Sequence, residues 1–352
     1  MTSETSETSK TSETSDPLRH HGDVDAAPGL ADFAVNVRGE RPPAWLREVL
    51  ARAVADLGRY PSAADDRAAR EAVAARHGRR AGEVLVLNGS AEGFALLPNL
   101  APAKAAVVHP SFTEPEAALR AAGVPVHRVL LTAADGFALR PERVPDDADL
   151  VVIGNPTNPT STLHTAEAIR TLVRPGRTVL VDEAFMDFVP GEPHSLAPGG
   201  DTHAGGVLVF RSLTKMWAVP GLRAGYALGD ERTLAALARN RPQWPVSTPA
   251  LRAVAACAAV PTDDVAAEYT AHRAHLAAEL AALGVTVHGP AHAPFLLVQV
   301  SGGEHVRAAL REHGVAVRRG DTFPGLGPDH LRIAVRPPEQ CAPLLKALEV
   351  CL

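Results

Sequence analysis

Short apolar runs alternate with helical stretches between residues 84 and 228. Several runs are apolar at every position rather than at every second one, as expected for strands that are covered on both faces. The pattern therefore predicts an α/β fold, with a mostly parallel central sheet sandwiched by helices. The predicted strands span residues 84–87, 105–108, 126–131, 150–153, 178–181, 206–210 and 225–228.

Helical periodicity is found on both sides of this region. Before it, apolar residues recur at spacings of three and four over residues 44–57, and a second helix is predicted over 64–77. After about residue 240 the pattern predicts a smaller α+β lobe. Its predicted helices span 248–259 and 263–283, and its predicted strands span 295–300, 315–317 and 331–335.

The chain is predicted to divide into four parts. Its N-terminal Thr-Ser-Glu repeat has no apolar residue after Met1, so it cannot bury surface and is expected to be disordered. The predicted parts are a tail (1–18), an arm and helix that pack with the small domain (19–58), a large ligand-binding domain (59–240) and a small C-terminal domain (241–352).

Composition excludes several classes of protein. Hydrophobic residues make up 46% and charged residues 21%, as in ordinary globular proteins. No apolar run approaches the ~20 residues that span a bilayer, and the N-terminus lacks the apolar segment of a signal peptide. We therefore expect a cytoplasmic protein with no membrane contact. The net charge of -5 argues against nucleic-acid binding, and three cysteines without a CxxC motif indicate neither a disulfide framework nor a metal site.

Lysine is rare in this chain, which narrows the search for amine chemistry. Only four lysines occur, against 31 arginines. Of the four, Lys215 directly follows a predicted strand and precedes Met216 and Trp217, which could desolvate its amine and lower its pKa. The alternative is a solvated lysine in a surface loop.

Polar residues follow several of the predicted strands, at the edge where ligands bind in parallel α/β sheets. Ser90, Ala91 and Glu92 open a helix after the first strand, where free N–H groups could bind a phosphate or simply form a helix cap. Asn158 lies in an Asn-Pro loop that is either a ligand contact or a plain turn. Asp182 ends an apolar strand, so its carboxylate needs an arginine, a metal or a protonated ring nitrogen as its partner.

In this order, the motifs resemble those of the fold type I pyridoxal-phosphate enzymes of the class I/II aminotransferase family, over about residues 21–347. The resemblance implies that Lys215 binds pyridoxal 5′-phosphate covalently and that Asp182 pairs with the ring nitrogen. Asn158 and Phe185 would lie at the ring oxygen, and Phe112 would stack on the ring. The implied phosphate ligands are Ser90, Ala91, Glu92, Ser212 and Arg223, together with Tyr60 from the other chain of a homodimer with shared active sites.

Within this family, the motifs look most like those of threonine-phosphate decarboxylases and related cobalamin-biosynthesis proteins. Phe185 stands where histidinol-phosphate aminotransferases usually carry tyrosine. Arg318 and Arg332 bracket Phe323-Pro324-Gly325-Leu326, as in the arginine pair that binds substrate phosphate and carboxylate in the decarboxylases. The resemblance also places His21, approaching across the dimer, and Asn36 at the substrate.

The expected function is therefore a lyase or transaminase that acts on a small phosphorylated amino acid such as threonine phosphate. Histidinol-phosphate aminotransferase is the alternative within the same fold. A non-catalytic coenzyme-binding regulator is disfavoured, because the short polar tail leaves no room for a helix-turn-helix domain. Three departures from the decarboxylase pattern bear on the substrate: Arg38, Pro115, and Ser161 in place of a glycine.

Overall fold

The computed structural model describes residues 16–199 and 206–352, which form two sheets with surrounding helices. The helices are α1 (Gly22–Asp25), α2 (Ala44–Val54), α3 (Ala63–His77), α4 (Ser90–Leu96), α5 (Glu114–Ala121), α6 (Ala166–Arg170), α7 (Glu231–Leu237), α8 (Thr248–Ala258), α9 (Asp263–Ala282), α10 (Gly303–Glu312) and α11 (Ala342–Cys351). The strands are β1 (Ala31–Phe33), β2 (Val84–Leu87), β3 (Ala105–His109), β4 (Val126–Leu130), β5 (Leu150–Gly154), β6 (Thr178–Asp182), β7 (Val207–Ser212), β8 (Gly225–Leu228), β9 (Thr286–Val287), β10 (Phe295–Gln299), β11 (Val315–Arg319) and β12 (His330–Ala334).

The larger sheet has the order β2-β8-β7-β6-β5-β3-β4. Strand β8 runs antiparallel to β2 and β7, and the remaining neighbours are parallel. The mostly parallel sheet predicted from the sequence is thus confirmed.

Successive residues of these strands enter different apolar cores. In β5, Val151 and Ile153 pack in the core on one face of the sheet, whereas Leu150 and Val152 pack in the core on the other face. Each such side chain contributes roughly 1.5–3 kcal/mol when it is fully buried. Burial on both faces explains why the strands are continuous apolar runs without alternation.

The smaller sheet has the order β1-β11-β12-β10-β9 and includes a strand from the N-terminal arm. Strand β1 runs parallel to β11, with Ala31 opposite Val315 and Phe33 opposite Val317. The other neighbours are antiparallel. The arm is therefore built into the small sheet and passes over the carboxyl edge of the large one.

Some features of the structure lie outside the predictions. Helix α8, predicted as part of the small domain, packs on α2 and α3. A 3-10 turn at Pro17–Arg19 begins inside the predicted tail, whose first 15 residues lie outside the described ranges. The predicted domain bounds remain a prediction. No helix in residues 16–199 and 206–352 is long and apolar enough to cross a membrane.

Candidate active site

A cavity of about 460 Å³ lies between the carboxyl edge of the large sheet, the small sheet and the N-terminal arm. Most of the residues predicted as ligand-binding line it, although they come from all parts of the chain. They are His21, Asn36, Ser90, Ala91, Phe112, Asn158, Asp182, Phe185, Ser212, Lys215, Arg223, Arg318 and Arg332.

Two predicted residues do not line this cavity. The carboxylate of Glu92 is turned away, where it accepts hydrogen bonds from Arg241 at 2.9 and 3.0 Å, and the Glu92 backbone N–H donates to the Gly89 carbonyl. Tyr60 is 74% exposed and stacks on Trp244, with 4.3 Å between the ring centroids. The structure thus places Tyr60 on the surface of the chain, outside its own cavity.

The turn between β2 and α4 forms a cradle for an anion. Gly89 has a φ of +74°, and a Cβ added to it would lie 2.7 Å from the guanidinium of Arg223. Ser90 and Ala91 open α4, so their N–H groups have no partner within the helix. Together with the Ser212 hydroxyl, these groups can hold a phosphate by hydrogen bonds and by the positive end of the helix.

Asp182 brings a carboxylate to the centre of the cavity at the end of β6. Its Oδ1 accepts a hydrogen bond from the Ala184 N–H at 3.2 Å, and no cation of the described residues makes an ion pair with it. Burial, with the nearby Glu183 charge adding to it, raises the pKa of Asp182 to about 7. A cationic group next to this carboxylate would return its pKa towards the ordinary range.

Lys215 follows β7 and faces the same cavity. Burial is the main cause that lowers the pKa of its amine to about 8, and the charges of Arg332 and Arg223 act in the same direction. Its backbone carbonyl accepts a hydrogen bond from the Arg38 N–H at 3.0 Å. The backbone of Lys215 is therefore fixed to the arm, and its amine is more easily deprotonated than that of an exposed lysine, as a nucleophilic lysine requires.

Arg318 and Arg332 are direct neighbours across β11 and β12. Arg318 is 2% exposed, and it donates to the His20 carbonyl at 2.8 Å and to Thr322 Oγ1 at 2.7 Å. Burial lowers the pKa of Arg318 to about 10 and, with the charge of Arg318 adding to it, the pKa of Arg332 to about 9. The buried carboxylate of Asp25 already lies 3.4 Å from Arg318, and the second cation, Arg332, favours the binding of a further anion beside the pair.

Arg332 connects the small sheet to the loop after β5. One of its terminal nitrogens donates to Asn158 Oδ1 at 2.7 Å and the other donates to the Ala34 carbonyl, while its Nε has no hydrogen-bond partner among the described residues. Its guanidinium lies 5.4 Å from the centroid of the Phe295 ring. The sequence indicated a role for both Asn158 and Arg332, but not their contact with each other.

His21 lines the cavity of its own chain, because the arm folds back over the site. Its approach to the substrate across a dimer, which the resemblance implies, stays a prediction. Its Nε2 lies 2.6 Å from Glu114 Oε1, and Arg19 donates to Glu114 Oε2 at 2.9 Å. The hydrogen bond with His21 is the main cause that lowers the pKa of Glu114. The His21 ring also contacts that of Phe112, with centroids 5.4 Å apart.

Sequence reasoning missed several side chains in this cavity, among them Thr214 and Glu114. Thr214 Oγ1 lies 2.8 Å from Ser212 Oγ and so orients the predicted phosphate ligand. Glu114 adds a carboxylate to the substrate side, where the sequence indicated only a departure from the decarboxylase pattern at Pro115. Thr214 could have been found, since it lies between Ser212 and Lys215 in one motif, whereas the contact of Glu114 with the arm spans 93 residues.

The residues present fit the pyridoxal phosphate that the resemblance implies. A phosphate cradle at Gly89, a carboxylate without a cationic partner at Asp182 and an amine of lowered pKa at Lys215 all face one cavity. The protonated ring nitrogen of the coenzyme would supply the cation that Asp182 lacks. Over the described ranges, no group of three or more His, Cys, Asp or Glu side chains is arranged to hold a metal ion.

Comparison with known proteins gives matches over most of the chain. Residues 31–348 match the family model of aminotransferase class I and II. The chain is 54% identical, over 323 residues, to a protein named histidinol-phosphate aminotransferase from Mycobacterium tuberculosis H37Rv, covering 91% of this chain and 87% of that protein. It is 30% identical, over 334 residues, to the threonine-phosphate decarboxylase of Salmonella typhimurium, covering 91% and 90%.

The fold is also similar to that of solved structures. The histidinol-phosphate aminotransferase from Clostridium acetobutylicum superposes with a TM-score of 0.83 at 24% identity, covering 91% of this chain and 98% of that one. At this level of identity the match concerns the fold, which agrees with the fold type I architecture predicted from the sequence.

Proposed function

Since the chain belongs to the class I and II aminotransferase family, whose members depend on pyridoxal 5′-phosphate, we propose that it transfers an amino group from histidinol phosphate, or a similar phosphorylated amine, to a 2-oxo acid. The observation that carries this proposal is the 54% identity to a relative of that name over nine-tenths of the chain. The threonine phosphate favoured by the sequence motifs is supported by a more distant relative, at 30% identity.

Each group around the coenzyme has a proposed task. The bound coenzyme supplies an electron sink for the bonds at the substrate carbon that carries the amine. Asp182 would keep the ring nitrogen protonated, while Ser90, Ala91, Ser212 and Arg223 would hold the phosphate. The Lys215 amine would take and return the proton at that carbon.

The two arginines suit a reaction with two alternating substrates. Amino transfer requires the phosphorylated amine and the 2-oxo acid to bind in turn in the same cavity. Arg318 is proposed to bind the phosphate of the first and the distal carboxylate of the second, while Arg332 binds the carboxylate next to the oxo group. Glu114, whose lowered pKa keeps it ionised, would accept a hydrogen bond from an N–H group of the amine substrate.

A second candidate is the decarboxylation of threonine phosphate. It is favoured by Phe185, which packs edge-on against Phe295 at 4.9 Å and offers no phenol to the coenzyme. It is also favoured by the pairing of Arg318 with Arg332, which could bind phosphate and carboxylate of one molecule at the same time.

A substrate panel separates the two candidates. With the coenzyme-loaded protein, kcat/KM for histidinol phosphate with 2-oxoglutarate is expected to exceed that for release of carbon dioxide from threonine phosphate by about a hundredfold or more. Unphosphorylated histidinol is the control. Its KM should be higher than that of histidinol phosphate, because it has no phosphate for Arg318 to bind. Faster carbon dioxide release from threonine phosphate, without any need for an oxo acid, would overturn the proposal in favour of the second candidate.

We also propose that the protein acts as a homodimer in which Tyr60 reaches the coenzyme phosphate of the neighbouring subunit. Tyr60 and Trp244 stack on each other and are both exposed, and Val54 and Leu57, close to Tyr60 in the sequence, are exposed as well. A second copy of the chain could cover these apolar side chains. We expect a solution mass of twice the chain mass, and weaker coenzyme binding in Tyr60→Ala although Tyr60 is outside its own cavity. A monomer that binds coenzyme equally well with and without this side chain would contradict the proposal.

A further inference from the structure

Ser161 has a backbone conformation that glycine adopts more easily. It lies in the loop after β5 with a φ of +62°, and it is fully buried. The left-handed region disfavours residues that carry a Cβ. A serine at this position therefore needs an interaction that glycine could not supply.

The hydroxyl of Ser161 makes such an interaction with the small domain. Its Oγ accepts hydrogen bonds from the backbone N–H of Ala293 at 2.7 Å and from that of His292 at 3.0 Å. The Ser161 carbonyl also accepts from the His292 N–H, at 2.8 Å. Since both partners are backbone groups, they cannot move aside by changing a rotamer.

The segment that Ser161 contacts leads directly into the strand beneath Arg332. Ala293 is two residues before β10, and its carbonyl accepts a hydrogen bond from Arg273 of α9 at 3.3 Å. Phe295, the first residue of β10, carries the ring that lies under the Arg332 guanidinium. If residues 292–293 are held in place, the Phe295 ring that packs against the Arg332 guanidinium is therefore held in place as well.

The loop that carries Ser161 also carries Asn158, whose Oδ1 accepts from Arg332 at 2.7 Å. Hydrogen bonds thus join the loop to the small domain through the Ser161 hydroxyl, the Ser161 carbonyl and the Asn158 amide. The Ser161 hydroxyl bonds to backbone groups, and Ser161 lies three residues after Asn158 in the same loop.

We propose that Ser161 is a positioning residue, whose hydroxyl fixes the loop after β5 against residues 292–293 and so aligns Asn158 with both the coenzyme and Arg332. The inference rests on the proposed contact between Asn158 and the coenzyme ring. It does not depend on which substrate the enzyme uses.

The test is a pH titration of the visible absorbance of the bound coenzyme, without substrate. Asn158→Ala, Ser161→Ala and Ser161→Gly are each expected to shift the midpoint in the same direction by about half to one pH unit, the size expected when one hydrogen bond is weakened. Ser161→Gly relieves the left-handed backbone, so this variant keeps the test valid if Ser161→Ala folds poorly. Thr165→Ala is the matched control, because its hydroxyl accepts a hydrogen bond from the Ala168 N–H, at 3.2 Å, within the start of α6.

The outcomes are distinguishable. A shift in Asn158→Ala and in both Ser161 variants, but not in Thr165→Ala, supports the inference. A shift in Asn158→Ala with a wild-type midpoint in Ser161→Gly overturns the role of Ser161 and leaves the proposed function intact. A wild-type midpoint in Asn158→Ala overturns both the proposed coenzyme contact and the inference that rests on it.

Discussion

Lys215→Ala is expected to lower turnover by at least about three orders of magnitude, because it removes both the covalent attachment of the coenzyme and the proposed proton-transferring group. Lys215 is the only lysine that lines the cavity within the described ranges. Burial lowers its pKa to about 8, so the amine loses its proton more readily than that of an exposed lysine. The measurement is kcat for the best substrate of the panel, with coenzyme in excess.

Lys104→Ala and Lys346→Ala are the controls for this result. The Lys104 amine makes an exposed ion pair with Asp147 at 2.8 Å, and Lys346 is on α11, away from the cavity. Both variants should keep wild-type turnover. If Lys215→Ala retained more than about a hundredth of the activity, the proposed catalytic role of this amine would have to be abandoned.

Arg211→Met is expected to lower the free energy of unfolding by about 3–5 kcal/mol, because it leaves buried carboxylates without their cation. Arg211 is 1% exposed and makes ion pairs with Glu183 at 2.9 Å, with Asp187 at 3.2 Å and with Glu192. Burial already raises the pKa values of Glu183 and Asp187, and the charge of Arg211 opposes that rise. Methionine approximates the length of the side chain, so the loss of charge dominates.

The loss of stability in Arg211→Met is expected to depend on pH in one direction. Without Arg211, the pKa values of the buried carboxyl groups rise further above their unfolded values, so the native state holds protons that the unfolded state has released. The stability deficit should therefore grow as the pH rises from about 5 to about 8. Urea unfolding at several pH values measures it.

Arg174→Met is the matched control for Arg211→Met. Arg174 makes an ion pair of similar length with Asp146, at 2.9 Å, but that carboxylate is 99% exposed. Its loss should cost less than about 1 kcal/mol at any of these pH values. Equal losses of stability in Arg211→Met and Arg174→Met would show that the buried ion pairs of Arg211 do not stabilise the ends of β6 and β7 beneath the site.

Features that depend on local sequence were predictable. The strands of the large sheet are buried on both faces, so a run such as that of β5 is apolar throughout and can be recognised without tertiary information. Ligands bind at the carboxyl edge of such a sheet, which is formed by the ends of its strands. Asp182 and Lys215 follow predicted strands in the sequence, so both could be predicted to lie at this edge. Arg318 and Arg332 were found as a pair through a motif, and the structure places them side by side on adjacent strands.

Features that depend on contacts between distant segments were not predictable. The contact of Ser161 with Ala293 spans 132 residues, and neither residue type indicates it. The contact of Glu114 with His21, at 2.6 Å, forms because the arm folds back over α5, 93 residues away in the sequence. Strand β1 has three residues, too few to show a period, and its pairing with β11 requires the sheet to exist first.

Borohydride reduction of the coenzyme-loaded protein, followed by peptide mapping, tests whether the Lys215 amine binds the coenzyme covalently. We expect the coenzyme to become permanently attached to the peptide that contains Lys215, and no attachment to occur in Lys215→Ala. Attachment to the peptides of Lys104 or Lys346 with none at Lys215, or a native protein that takes up no coenzyme at all, would contradict it.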